Sequence, residues 1–395
     1  MTEQGPHPSV ALVLINNTGI GGAERRFAQV YEGLRRRNAP VALVINASLL
    51  ARLREAGLLT ATDEPALILP EPMGRLAARL EQWMKPAGAA AGVLAFGLRK
   101  LDYVLGCPIV FRWLRARRPQ VMHVVLGGVY VALPLQMLRC TPPAVVSVTN
   151  PSLRGMVGAA LGVKLFGLSL RRARIVDTLS NLIADAVRRE GVEAARIRVA
   201  PGSSVDTARF RPASAKRPWV VFSGRLIEEK NPALFIEACA LVAGRLRGTH
   251  PDLRFFVLGD GPLRAEVERA IGRHGLQPLV RVGWTDRVES ILGEARVFVS
   301  LQRTDNYPSQ ALLEAMACGL AAVATDVGCT WKLVDETVGR RVAADPAAVA
   351  GAVVELLSNP AQAAAMGQRA RERVIRDHSM EAYLDYVERL YAHAC

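Results

Sequence analysis

Residues 297–330, VFVSLQRTDNYPSQALLEAMACGLAAVATDVGCT, constrain the fold more than any other stretch of the chain. Val297–Leu301 is a short apolar run that reads as a buried strand, and Gln302–Tyr307 is a polar turn. Pro308 then opens a helix that Gly319 closes, the usual placement of proline at a helix start and glycine just past its end. Leu320–Thr325 is a second apolar strand, ending at Asp326 and Gly328. The helix of this strand–loop–helix–strand unit starts at the carboxyl edge of a parallel sheet, where free N–H groups and a positive dipole end suit a phosphate. Glu314 falls in its second turn, inside the apolar run LLEAMA. A carboxylate there must be solvated, paired, or bound to ligand hydroxyls.

The same alternation runs along the whole chain. Ser9–Asn16, Pro40–Asn46, Gln120–Val125, Ala144–Thr149, Ile175–Leu179 and Ile197–Ala200 read as strands with helical spacing between them. After the first strand, Gly19, Gly21 and Gly22 make a flexible loop, and Phe27, Val30, Tyr31 and Leu34 share one face of the following helix. This loop is not the GxGxxG fingerprint, so it carries little weight as a dinucleotide signal. The pattern restarts at Trp219–Ser223 and continues through strands at Leu253–Leu258 and Leu279–Val282. The expected organisation is an α/β domain over 1–200, a linker over 201–218 rich in Pro, Ser and Arg, a second α/β domain over 219–378, and a helix in 379–395 returning to the first. The fold class this predicts is two Rossmann-like, doubly wound domains facing across a cleft.

At 395 residues, half of them hydrophobic, the chain suits two globular domains. Its six cysteines are scattered, with no CxxC, which fits a reducing compartment rather than disulfides or structural zinc. Met1–Pro8 is short and polar, Val10–Ile15 is too short for a signal h-region to be preferred over a first strand, and no apolar run reaches the ~20 residues of a spanning helix. The formal charge of +14 is uneven: residues 1–211 hold 28 Lys and Arg against 14 acids, and residues 212–395 hold 22 against 22. A basic first half calls for an anionic partner such as phospholipid, lipid-linked phosphate or nucleic acid, unless its arginines only solvate surface helices. Residues 74–118 mix aromatic and aliphatic side chains with nine Lys or Arg and two acids. They read as a membrane-surface segment broken by Pro86 and Pro108, with core-packed helices as the alternative.

Five motifs then fall in one order: GIGGAERR, VDTARFRP, SGRLIEEKNP, LGDGPLRAEVE, and NYPSQALLEAMACG with ATDVG. With them the chain resembles the retaining family 4 glycosyltransferases of the GT-B fold, over nearly its whole length and more specifically in its second half. The resemblance implies that Arg225 and Lys230 contact the donor diphosphate and stabilise the leaving nucleoside diphosphate. It implies that Glu314 bonds the ribose hydroxyls. The family's Glu-x7-Glu motif has its first Glu replaced here by Asn306, which offers no full negative charge. The backbone N–H groups of Tyr307, Ser309 and Gln310 are expected to meet sugar hydroxyls and phosphate, whereas Pro308 has no N–H to give. Gly21 and Gly22 resemble the loop that lets the sugar lie close to backbone. His123 matches the first position of a His-x-His pair whose second position is Val125, with a buried, satisfied histidine as the competing reading. Gly261 and Trp284 resemble residues flanking the nucleobase.

The resulting expectation is a glycosyltransferase with Arg225, Lys230 and His123 as catalytic residues and no metal or resident cofactor. Its partners would be a nucleotide sugar, a glycan or lipid-linked acceptor and an anionic membrane surface, at the inner face of the cytoplasmic membrane. The competing readings are a GT-B sugar-nucleotide epimerase and a binding protein with a decayed site. No recognisable nucleic-acid module accompanies the basic charge.

Overall fold

A computed structural model of the chain describes residues 8–16, 20–60, 62–83, 88–149, 160–201 and 204–395. Gly19 and Pro86 of the sequence reading lie outside the described residues, as do the residues before Pro8. The chain divides into two compact units, Met1–Pro201 with Leu384–Cys395, and Gly202–Tyr383.

The first unit holds β1 (Val10–Ile15), β2 (Val41–Asn46), β3 (Leu67–Leu69), β4 (Val121–Leu126), β5 (Ala144–Val148), β6 (Ile175–Thr178) and β7 (Ile197–Val199). All pair in parallel, in the order β3-β2-β1-β4-β5-β6-β7. The second unit holds β8 (Trp219–Ser223), β9 (Arg254–Leu258), β10 (Val280–Gly283), β11 (Val297–Ser300), β12 (Ala321–Thr325) and β13 (Gly339–Val342), in the parallel order β10-β9-β8-β11-β12-β13. Helices cover both faces, so the central strands are apolar throughout: every residue of β1 and of β12 is buried. Alternation sends Val220 and Phe222 into one core of the second unit and Val221 into the other. Each such fully buried side chain contributes about 1.5–3 kcal/mol.

Two strands fall outside the sequence expectation, β3 and β13, and both are sheet edges. β3 is three residues long, and β13 carries Arg340 and Arg341, whose guanidinium groups pair with Glu355 and Asp326. Short length and charge discourage pairing with another chain at an edge, and they also hide the apolar pattern.

Four boundaries differ from the sequence reading. Helix Gly88–Arg117 continues through Pro108, which is exposed. The carbonyl that loses its amide partner there has water within reach, so the ring does not break the helix. The expected linker belongs to the second unit: Val205 and Phe210 enter its core, and Ala213 donates its amide to Gly293 at 2.9 Å. Lys216 is part-buried with its ammonium 2.7 Å from the Cys318 carbonyl, and desolvation brings its pKa down to about 8. Helix Gln310–Ala317 starts two residues after Pro308, because Ser309 takes the extended N-cap conformation. The last helix, Met380–Ala394, starts in the second unit, and its residues from Leu384 belong to the first.

The six cysteines are free. Among the described residues no helix is long and apolar enough to cross a membrane.

Candidate functional site

In the second sheet, strands run outward from β8 one way through β9 and β10, and the other way through β11, β12 and β13. The order therefore reverses between β8 and β11, and the crevice outside the carboxyl ends of such a pair is where ligands bind in open α/β sheets. The β8 loop carries Arg225 and Lys230, and the β11 loop carries Asn306–Ser309 and leads into the helix with Gln310 and Glu314. Arg303 joins the two loops: its amide donates to the Glu229 carbonyl at 3.0 Å and its guanidinium pairs with Glu228 at 2.9 Å.

Some arginines of the unit are held by acids, while others, Arg245, Arg247, Arg273 and Arg281 among them, have no ion pair among the described residues, so it is position at the switch point that marks Arg225 and Lys230. Arg209, Arg217, Arg264, Arg340, Arg341 and Arg373 all pair with acids. Among the described residues, neither Arg225 nor Lys230 has an ion pair, although both lie where the two loops meet. Lys230 is half-buried, its chain passing over Gly224, and burial lowers its pKa with only Glu229 opposing. A half-buried ammonium without a counter-ion is a site waiting for an anion. Glu314 is its complement. Its carboxylate accepts one hydrogen bond, from Gln310 Nε2 at 3.1 Å, and forms no ion pair among the described residues. Burial raises its pKa against the Gln310 bond and the Arg209 charge. Such a carboxylate has lone pairs to spare for ligand hydroxyls.

Beside the switch point the loops after β8, β9 and β10 enclose a slot of about 360 Å³, lined by Arg225, Asp260, Trp284, Thr285 and Val288 among others. Trp284 is 74% exposed and offers a ring face. Gly261 shapes this edge: a Cβ there would sit 2.5 Å from the Leu226 carbonyl oxygen, while Leu226 and Leu263 bond across the same turn.

Residues 217–359 match the family described as glycosyl transferases group 1, and residues 21–202 match the glycosyl transferase 4-like domain. The chain belongs to the group 1 glycosyltransferases. Its fold is GT-B: HepE of Anabaena, solved in complex with UDP, superposes with a TM-score of 0.68 at 14% identity, over 97% of this chain and 99% of that one. A phosphatidylinositol N-acetylglucosaminyltransferase component of Arabidopsis thaliana is 34% identical over 151 residues, covering 36% of this chain and 32% of that protein. Alpha-D-kanosaminyltransferase of Streptomyces kanamyceticus is 28% identical over 226 residues, 55% of this chain and 54% of that protein. The chain thus spans about a third to a half of the length of these curated relatives.

Within this glycosyltransferase fold the expected site residues separate. Arg225, Lys230, Glu314, Gln310, Asn306, Gly261 and Trp284 all sit on the loops and helix described above. Asn306 is exposed and makes no hydrogen bond among the described residues. The Tyr307 amide is not free for a sugar: it donates to Asp305 Oδ1 at 3.2 Å, which also takes the Cys329 amide at 3.1 Å. Asp305 therefore staples the β11 loop to the β12 loop, a role no spacing in the sequence signals. The amides of Ser309 and Gln310 keep no acceptor among the described residues. Pro308 is partly buried next to the N-cap Ser309.

In the first unit the order reverses between β1 and β4, and Gly21 and Gly22 lie on the β1 loop. Among the described residues nothing lies within 4 Å of where a Cβ on Gly22 would be, so no described packing demands glycine there. Gly21 instead donates its amide to Glu24 at 2.8 Å, and Asn16 donates to the other oxygen of the same buried carboxylate. His123 is a correction. It lies inside β4, and it is 0% exposed, as in the competing reading of a buried, satisfied histidine. Nδ1 bonds Tyr391 Oη and Nε2 bonds Ser147 Oγ, both at 2.8 Å, and burial lowers its pKa to about 3. A histidine with both nitrogens engaged inside the sheet reaches no donor sugar, and we remove it from the catalytic set.

Proposed function

We propose that this chain is a retaining glycosyltransferase that moves a sugar from a nucleoside-diphosphate donor to a glycan or lipid-linked acceptor. The observation that carries the reading is the pair of unpaired cations, Arg225 and Lys230, at the switch point of the second sheet. Breaking the donor bond builds negative charge on the leaving diphosphate, and two fixed cations there stabilise that charge without a metal ion. The UDP bound in HepE supports a nucleoside diphosphate in the slot beside them. Retention is the family's stereochemistry and needs no protein nucleophile. The test is incubation with a panel of nucleotide sugars, the product's anomeric configuration being read by NMR. An inverted anomeric centre overturns retention, and nucleotide binding without transfer from any donor returns the chain to the binding-protein reading.

Glu314→Gln raises the donor KM by about 10–100-fold with a smaller change in kcat, because it weakens hydrogen bonds to a charged acceptor. Steady-state kinetics against donor check this, and an unchanged KM removes Glu314 from the nucleotide site.

We place the enzyme at the inner face of the cytoplasmic membrane, in polysaccharide or glycolipid assembly. The support is one face of helix Gly88–Arg117, where Leu101, Val104 and Leu105 are 48%, 61% and 48% exposed and Arg112 and Arg115 follow at the same spacing. Apolar side chains continued by arginines are what a monotopic helix presents to lipid. Val104→Glu with Leu105→Glu is expected to release the protein from anionic vesicles in a flotation assay; undiminished flotation removes this face from the membrane contact.

A further inference from the structure

A recess of about 770 Å³ opens at the end of the first sheet away from the β1 and β4 loops, where the chain enters β5 and β6. Arg139, Arg172, Arg174 and Arg196 line it, and none of its described lining residues is acidic. Arg196 is engaged with the Arg171 and Ala173 carbonyls and approaches Glu193 at 3.6 Å. Among the described residues, the side chains of Arg139, Arg172 and Arg174 have no hydrogen bond and no ion pair. Arg172 ends its helix, and Arg139 and Arg174 each stand two residues beyond the last residue of a helix, so the recess gathers the C-terminal ends of two helices and their cations. Gln136 is only 8% exposed, and its buried Nε2 has no acceptor among the described residues although Oε1 is held by Ser169. Met137 on the recess wall is 55% exposed and its neighbour Leu138 71%.

Unpaired arginines, an unmet donor and an apolar rim together select an amphiphile with an acidic head. We infer that this recess takes the phosphate headgroup of an anionic phospholipid, with Met137 and Leu138 against the acyl boundary. The site is separate from the exposed face of helix Gly88–Arg117, but helix Gly128–Met137 packs on that helix. Both helices precede neighbouring parallel strands, β4 and β5, so both end at the same end of the sheet. The inference rests on the membrane part of the proposed function and on none of its transfer chemistry.

The experiment is flotation of the full chain with phosphatidylglycerol vesicles and with phosphatidylcholine vesicles, alongside thermal shifts with inorganic phosphate and with UDP. Arg139→Glu with Arg174→Glu is expected to lower binding to phosphatidylglycerol vesicles by about tenfold or more, with the UDP shift unchanged. Arg139→Lys with Arg174→Lys restores part of it, since charge is kept while the planar fork is lost. Wild-type binding by the glutamate variant, or equal binding of both vesicle types by the wild type, overturns the inference. A free-anion site would show as phosphate raising the midpoint of the wild type but not of the glutamate variant, with no preference for phosphatidylglycerol, and that too overturns the lipid assignment. If the Val104 and Leu105 variant floats normally while the arginine variant does not, the helix-face reading fails and the recess stands.

Discussion

Lys230→Ala and Arg225→Ala are each expected to lower kcat for sugar transfer by about 10²–10³-fold, equivalent to roughly 2.7–4 kcal/mol of transition-state stabilisation. The expectation follows from position and from missing partners. Both residues leave the end of β8 at the switch point, neither has a counter-ion among the described residues, and Lys230 is held half-buried over Gly224. A cation in that setting is costly to the resting protein and useful only when an anion arrives. Lys230→Met should therefore abolish most transfer without lowering the thermal midpoint, because it removes an unpaired half-buried charge and keeps the aliphatic chain. Arg225→Lys should recover little, since a point charge does not reproduce a guanidinium fork on a diphosphate. Rates under donor saturation together with midpoints check all of these. Full activity in both alanine variants sinks the diphosphate assignment, and a midpoint fall in Lys230→Met shows that the lysine is structural.

Local pattern makes the second unit readable from its amino acids alone. Trp219–Ser223 stands where the apolar run predicts it, and β9 to β12 fall within a residue or two of expectation, because buried parallel strands are short, continuous and punctuated by glycine and charge. What stays hidden depends on contacts distant in sequence. β3 and β13 are too short or too charged to show a pattern. Asp305 looks like turn filler until the Cys329 amide, 24 residues away, is found on its carboxylate. The basic first half is the instructive case. Five of its helices end on two arginines each, Arg35 and Arg36, Arg52 and Arg54, Arg115 and Arg117, Arg171 and Arg172, and Arg188 and Arg189. Cations there complement helix dipoles, so much of the excess needs no partner. Only the unpaired arginines call for one, and pairing is not visible in a composition.

His123→Leu is expected to destabilise the first unit by about 2–4 kcal/mol while leaving kcat per folded molecule within about twofold of the wild type. His123 joins a buried network of hydrogen bonds: it bonds Tyr391 and Ser147, and the Asp177 carboxylate accepts from Ser147 Oγ at 2.7 Å and from Tyr386 Oη at 2.6 Å. Tyr386 and Tyr391 lie on the last helix, so the chain of bonds fixes that helix to β4, β5 and β6. Leucine fills the space but removes both imidazole hydrogen bonds, to the Tyr391 and Ser147 hydroxyls, although Ser147 keeps its bond to Asp177; losing a buried hydrogen-bond partner costs about 1–3 kcal/mol. The pH dependence gives a second readout. The unfolded chain takes up a proton at His123 near pH 6.5, whereas burial delays uptake in the folded chain to about 3. Its contribution to stability is thus complete above pH 6.5 and is lost progressively as pH falls toward 3. Asp177, whose pKa burial raises, has the opposite slope. Because Asp177 is present in both proteins, the difference between the wild-type and His123→Leu stability curves isolates the imidazole. That difference should shrink as pH falls through this window. A variant that keeps its stability but loses transfer would return His123 to the reacting centre, since a histidine serving only as a strut shows the reverse.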